Sequence, residues 1–87
     1  MSKHDKYIQE LYEKFKENAV LNSTDFYDLH FVLGKYIREN YLALDEYYYY
    51  FCDYYNKEDE DILSLNIIKD LKEYKIKILQ NNLLHQD

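Results

Sequence analysis

Residues that form tight turns are nearly missing from this chain of 87 residues, which has no proline and one glycine, Gly34. Proline and glycine provide the backbone angles that most tight turns require. An all-β sandwich or barrel joins its short strands through many such turns, so this chain is poorly suited to one. Apolar residues make up 47% and charged residues 32% of the sequence, as in folded globular proteins. The length allows one small domain, which we place at residues 1–87.

Apolar residues recur three and four positions apart along most of the chain, which is the spacing of one face of an α-helix. The pattern predicts four helices, near 5–20, 25–41, 45–56 and 61–84. We expect Asp45 to cap the third helix. The fourth helix is long, and its sequence allows a break near Ser64 or Asn66 (64–66). The predicted fold is therefore all-α, a compact four-helix bundle, or three helices plus a long one that also serves a partner chain.

Each predicted helix has an apolar stripe that we expect to face the core. On the first helix the stripe is Tyr7, Ile8, Leu11, Tyr12, Phe15 and Ala19, and on the second it is Phe26, Leu29, Leu33, Tyr36, Ile37 and Tyr41. His30, on the flank of the second stripe, is predicted to be a partly buried core histidine. Gly34 lies inside the second helix, where glycine costs about 1 kcal/mol relative to alanine. Its position indicates close approach of a neighbouring helix, with a hinge as the alternative.

The fourth helix has two apolar sides. Its main stripe comprises Leu63, Ile67, Leu71, Tyr74 and Ile78, and a second side comprises Ile62, Leu65, Ile68, Ile76, Leu79 and Leu83. These residues widen the apolar stripe towards a second side of the helix.

Sequence motifs of enzyme and metal sites are missing. One glycine cannot form a phosphate-binding loop, and Cys52 with three separated histidines does not form the usual ligand cluster of zinc. No Glu-x-x-His pair of the di-iron type occurs. The few hydroxyl side chains lie mostly at predicted helix starts, and Cys52 is expected to be a buried structural thiol. We predict a protein that is not an enzyme and uses no cofactor and no metal.

The sequence also bears on compartment and source. It has no apolar run of the roughly 18–20 residues that cross a bilayer and no secretory signal, and one cysteine cannot form an internal disulfide. We therefore expect a cytoplasmic protein. Residues with AT-rich codons (Lys, Asn, Ile, Tyr) number 36, against 4 with GC-rich codons (Ala, Gly, Pro, Arg). This bias indicates an AT-rich genome, such as that of a low-GC bacterium or one of its phages or plasmids.

Acidic charge and tyrosine are concentrated in the same part of the chain. The net charge is −6, and residues 25–61 alone carry −7, with ten acids against two lysines and one arginine. Seven of the 12 tyrosines lie between residues 41 and 55. On a helical wheel of the third helix, the side predicted to fill the core is formed by Leu44, Tyr47, Tyr48, Phe51 and Tyr55. The opposite side carries Glu46, Tyr49, Tyr50 and Asp53.

This second side is the predicted binding site. Together with the polar connector that follows the helix, the candidate partner-binding residues are Glu46, Tyr49, Tyr50, Asp53, Glu58, Asp59, Glu60 and Asp61. Tyrosine is enriched in the energetically important parts of interfaces, and carboxylates steer basic partners. Acidic residues beside exposed aromatic rings also imitate the charge of a nucleic-acid backbone.

The leading hypothesis is a small, acidic, non-enzymatic inhibitor or adaptor. Its partner would be a basic protein, either a nucleic-acid-handling enzyme such as a nuclease or polymerase, or a toxin. Acidic bacteriocin immunity proteins and phage-encoded inhibitors of defence nucleases have this size and charge, which is an analogy of class only.

Two alternatives use other parts of the chain. One is a small, dimeric transcriptional regulator that binds DNA through the lysines of the fourth helix, Lys69, Lys72, Lys75 and Lys77. Asp70 and Glu73 interrupt this basic stretch, and a net charge of −6 opposes direct nucleic-acid binding. The other alternative is a structural homodimer in which the tyrosine-rich face is the self-interface. A membrane-surface role is not expected, because we expect the apolar stripes to have no flanking basic rims.

Overall fold

Four helices and one short 3₁₀ turn form the secondary structure of residues 2–84, the part of the chain that the computed structural model describes. They are α1 (Lys3–Phe15), the 3₁₀ turn Ala19–Asn22, α2 (28–40), α3 (Asp45–Tyr55) and α4 (Glu60–Leu84). The predicted all-α four-helix bundle is confirmed. The ends of the predicted domain, residue 1 and residues 85–87, lie outside the described residues.

Helix α1 ends five residues before the predicted boundary near residue 20. Its start is capped by Ser2, whose hydroxyl accepts a hydrogen bond from the backbone N–H of Asp5 (3.1 Å). At the other end, the Asn18 side chain accepts from the N–H of Val20 (2.9 Å) and opens the 3₁₀ turn. This turn directs Leu21 into the core, whereas Ala19, which we predicted to face the core, is exposed.

Helix α2 is not a regular α-helix. Its first part, Asp28–Gly34, is π-helical, and the α-helical part is Lys35–Asn40. A π-helix bonds each N–H to the carbonyl five residues back and needs more residues per turn than an α-helix, so positions three and four apart stop sharing one face. Leu33 and Ile37 are buried as predicted, but Phe26 (62% exposed) and Tyr36 are not.

Gly34 leaves space for a side chain of its own helix and for α4. A Cβ at this position would lie 2.9 Å from Nη1 of Arg38 and 3.5 Å from Oγ of Ser64 in α4. The Arg38 guanidinium donates to Ser64 Oγ (2.9 Å) and to the carbonyl of His30 (3.1 Å). It also lies 3.3 Å from a carboxylate oxygen of Asp61. The glycine therefore lets one arginine join α2 to the start of α4.

Helix α3 begins at Asp45, but this residue does not cap it. The N-cap position is occupied by Leu44, which has no side-chain cap bond and is exposed, contrary to its predicted place in the core. The helix ends at Tyr55, because Asn56 adopts a left-handed conformation (φ 56°) that turns the chain toward α4.

Helix α4 is unbroken across Ser64 and Asn66, where the sequence left a break open. The Ser64 hydroxyl donates to the carbonyl of Asp61, and the Asn66 amide donates to the carbonyl of Ile62, so both side chains bond within the helix. Helix α4 packs against α1, α2 and α3. The most buried residues of the resulting core are Leu11, Leu33, Ile37, Phe51, Leu63, Ile67 and Leu71. Within residues 2–84, no helix combines the length and the apolar character needed to cross a membrane.

Candidate protein-binding surface

The outer face of α3 carries three of the predicted binding residues. Glu46, Tyr49 and Asp53 are all exposed, and the Tyr49 ring is 63% exposed. They share one side of the helix because they lie three and four positions apart. The Tyr49 ring therefore stands in solvent on the same side of the helix as two carboxylates.

The connector after α3 is held beside this face. The Tyr48 hydroxyl donates to the carbonyl of Glu58 (2.8 Å), and the N–H of Lys57 donates to the carbonyl of Cys52 (3.2 Å). As a result, Asp53 and Glu58 line one open hollow of about 440 Å³ together with Lys57. Cys52 lines the same hollow and is half-buried rather than fully buried as predicted.

Two of the connector carboxylates already have roles in the fold. Asp59 caps α4, where its side chain accepts from the N–H groups of Asp61 (2.8 Å) and Ile62 (3.2 Å). Asp61 pairs with Arg38. Both are nevertheless exposed, as are Glu58 and Glu60. We define the acidic surface as Glu46, Tyr49, Asp53, Glu58, Asp59 and Glu60.

Negative charge on this surface is almost uncompensated. Residues 45–61 hold seven acids and one lysine, Lys57. Among the residues that the structure describes, the ion pair that involves this segment is the one between Asp61 and Arg38. The surface is thus strongly negative and attracts basic groups of a partner.

Tyr50 is placed differently from the other predicted binding residues, because it packs against α1. Its hydroxyl lies 3.1 Å from Nδ1 of His4, and its ring meets the Tyr7 ring edge to face at 4.8 Å. It is half-buried. The structure therefore keeps Tyr49 and Tyr50 apart: Tyr49 faces solvent and Tyr50 faces a neighbouring helix.

A polar cluster that the sequence analysis missed joins three helices around His4. Nε2 of His4 donates to Oδ2 of Asp70 in α4 (2.7 Å), and the Tyr55 hydroxyl donates to the same oxygen (2.5 Å). The Tyr54 ring stacks on the imidazole at 3.5 Å. Both ring nitrogens are engaged and His4 is only 8% exposed, so this histidine has a structural position. His4 and Asp70 are 66 residues apart, and no local pattern in the sequence connects them.

The tyrosines around α3 have raised pKa values. The hydrogen bond to Glu46 (2.9 Å) raises the pKa of Tyr7 to about 12. Burial raises the pKa of Tyr47 and Tyr50, and burial together with the bond to Asp70 raises that of Tyr55. These phenols stay protonated at neutral pH and act as hydrogen-bond donors.

The outer side of α4 is also exposed. Ile62, Ile76 and Leu79 of the second apolar side lie in water instead of packing against a neighbour. Lysines stand beside them: Lys69 and Lys72 line the same hollow as Ile76 and Phe26. The expectation that no basic residues flank an apolar stripe is therefore wrong for α4.

His, Cys, Asp and Glu side chains are not grouped in threes as metal ligands anywhere in residues 2–84. Comparison of the chain with protein-family models, with curated proteins and with solved structures found no match.

Proposed function

We propose that this protein is a non-enzymatic binding protein whose acidic surface occupies a basic surface of a protein partner. The observation that carries the proposal is the Tyr49 ring, exposed on an ordered helix between Glu46 and Asp53, with the connector carboxylates held beside it. Rigid aromatic residues contribute contact area at low entropy cost, and carboxylates give orientation and fast association.

The class of partner that fits this surface is a protein that binds nucleic acid. The cationic groove of such a protein binds a row of phosphates. The exposed carboxylates of Asp53, Glu58 and Glu60 offer a row of negative charges in place of the phosphates. Such a protein would act as an inhibitor, of the phage anti-defence type or of the immunity or antitoxin type, by competing with nucleic acid for the groove.

Capture from a bacterial extract treated with nuclease tests the proposal. Three immobilised forms are compared: the wild type, Asp53→Asn/Glu58→Gln, and the control Glu17→Gln/Glu39→Gln, which removes the same charge from exposed positions elsewhere. We expect a basic protein to be retained by the wild type and the control and lost by the acidic-surface variant. Equal retention by all three, or retention by none, contradicts the proposal.

Tyr49→Ala tests the aromatic part of the surface in the same assay. The substitution touches an exposed ring, whereas Tyr50→Ala would also remove a contact between α1 and α3. The captured protein is then assayed for nucleic-acid binding with and without this chain. Loss of nucleic-acid binding in proportion to added chain supports inhibition, and unchanged binding contradicts it.

The alternative of a DNA-binding regulator has less support in the geometry. The ammonium groups of Lys72 and Lys75 donate to the Ser23 carbonyl (2.6 Å) and to the Asn22 side chain, so both are partly occupied. The exposed apolar residue Ile76 lies between Lys75 and Lys77. Retardation of duplex DNA by the purified protein at low salt would favour this alternative over our proposal.

A further inference from the structure

The outer side of α4 carries a second regular pattern, which the acidic surface does not use. Six residues follow each other at alternating spacings of three and four along the helix, which is the spacing of a coiled-coil seam. We define the outer seam as Ile62, Leu65, Lys69, Lys72, Ile76 and Leu79. Its ends are apolar and its centre is basic.

The outer seam is half-buried or exposed along its length, and from Leu65 to Leu79 it forms one wall of a recess. Ile76 is 55% exposed. Opposite it, Phe26 and Leu29 from the start of the second helical region form the other wall of a mostly apolar hollow of about 280 Å³. A neighbouring hollow of about 260 Å³ extends past Leu79. Glu73 also lines the first hollow, so the linings of the two hollows together hold Lys69, Lys72 and Lys75 against one acid. A concave apolar strip between two helices is the geometry that receives the apolar side chains of a docked helix.

We propose that this recess binds an amphipathic helix of another protein, with acidic residues at the centre of its contact face and apolar residues toward both ends. The positive charge at the centre of the outer seam indicates acidic residues at the centre of the bound helix. A docked helix places the side chains at its centre against Lys69 and Lys72, and carboxylates there would pair with the ammonium groups. Lys72 uses one of its three N–H donors on the Ser23 carbonyl, which holds its ammonium group at the wall and leaves two donors for a carboxylate.

A second copy of this chain does not fit the recess in the same way. Two-fold pairing over the whole outer seam, parallel or antiparallel, would set Lys69 and Lys72 of one copy against the same lysines of the other. Like charges in such close register oppose association. An anionic membrane is also a poor occupant, because the chain carries a net charge of −6 and a recess does not present a flat face to lipid.

Two designed helical peptides with a fluorescent label test the inference by anisotropy. Both have leucine at the outer contact positions, at spacings of three and four, and they differ at the two central positions, which are glutamate in one and lysine in the other. We expect the glutamate peptide to bind the full-length protein at least about tenfold more tightly. The variant Lys69→Glu/Lys72→Glu, which turns the two central positive charges of the seam negative, should reverse this preference. Equal binding of both peptides, or binding of neither, overturns the inference.

Variants of the protein separate this recess from the acidic surface. Ile76→Asp/Leu79→Asp changes two exposed residues and should abolish peptide binding while the circular dichroism spectrum stays unchanged. Asp53→Asn/Glu58→Gln should leave peptide binding unchanged and thus distinguishes failure of this inference from failure of the proposed function.

Two further measurements test other occupants of the recess. A dimer seen by light scattering that Ile76→Asp dissociates would assign the recess to a second copy and overturn the proposal. Sedimentation with phosphatidylglycerol vesicles that Leu79→Asp abolishes would assign it to a membrane and also overturn the proposal.

Discussion

His4 is the residue through which the N-terminal helix is tied to the rest of the molecule. Its ring stacks on Tyr54 of α3, and its nitrogens reach Tyr50 of α3 and Asp70 of α4. A hydrogen bond to a charged carboxylate contributes more to stability than one between neutral groups. Removing one partner of such a bond leaves the other partner shielded from water and without that hydrogen bond, which costs free energy.

We expect His4→Phe to destabilise the protein by about 2 kcal/mol, because the phenyl ring keeps the stacking but leaves Asp70 with one donor fewer. His30→Phe is the matched control. Nδ1 of His30 is buried and has no hydrogen-bond partner in the described residues, so this substitution should change stability by less than about 0.5 kcal/mol or increase it. Urea denaturation at neutral pH measures both values. Equal losses for the two variants would show that the polar cluster contributes nothing specific.

Tyr7 gives the protein a sensitivity to alkaline pH. Its pKa is raised from 10.0 to about 12 by the bond to Glu46, so between these values the unfolded chain releases a proton that the folded chain retains. The stabilising contribution is therefore complete below pH 10 and is lost as the pH rises through about 12. Tyr7→Phe should make stability fall less steeply over this range, as measured by urea midpoints at a series of pH values. An identical slope in wild type and variant would contradict the assignment.

The contacts of His4 and Tyr7 could be predicted from the sequence only in part. Tyr7 belongs to the apolar stripe of α1, and its burial was predicted from that stripe. The bonds of His4 to Asp70 and of Tyr7 to Glu46 join residues 66 and 39 positions apart, and such distances have no periodic signal in a single sequence. Helix periodicity therefore predicted which side of α1 faces inward, but not which polar groups meet there.

The second helix shows where periodic reasoning fails. Apolar residues three and four positions apart predicted a helix near 25–41, and the structure has helix there. A stripe drawn with 3.6 residues per turn then misplaced Phe26 and Tyr36, since the π-helical segment Asp28–Gly34 changes the phase of the faces. The glycine in mid-helix marks this irregular stretch in the sequence, but its packing partner Arg38 was visible only in three dimensions.

Gly34→Ala tests whether the glycine is kept for Arg38. The added Cβ would lie 2.9 Å from Nη1 of Arg38 and should displace the guanidinium from Ser64, which outweighs the gain of about 1 kcal/mol in helix propensity. We expect a net loss of about 1 kcal/mol. In an Arg38→Ala background the same change should cost less, and only the contact of the Cβ with the Leu29 carbonyl oxygen at 3.0 Å should remain. The double-mutant cycle measured by urea denaturation gives the coupling. Additive effects would mean that the contact with Arg38 is not the reason for the glycine.

In the whole molecule, acidic charge is grouped on one surface while the lysines of α4 stand on another. The fold explains the position of this acidic surface, because the left-handed Asn56 turns the connector back beside α3. It does not explain the charge itself, since like charges that lie close together destabilise the compact state. Stability given up at one surface is typical of a site kept for binding.

Removal of charge from the acidic surface should therefore stabilise the protein. Asp53 lies in the last turn of α3, where the helix dipole disfavours an acid, and Glu58 lines the same hollow. We expect Asp53→Asn/Glu58→Gln to gain about 0.5 kcal/mol in dilute salt, or about 2–4 °C in Tm. The gain should vanish in about 1 M NaCl, where the screening length is about 3 Å.

The control variant is Glu17→Gln/Glu39→Gln, in which Glu39 pairs with Lys35 at 4.0 Å, and it should show no such gain. Equal Tm changes for both double variants would mean that the acidic surface costs no stability, and that its charge needs no binding partner to explain it.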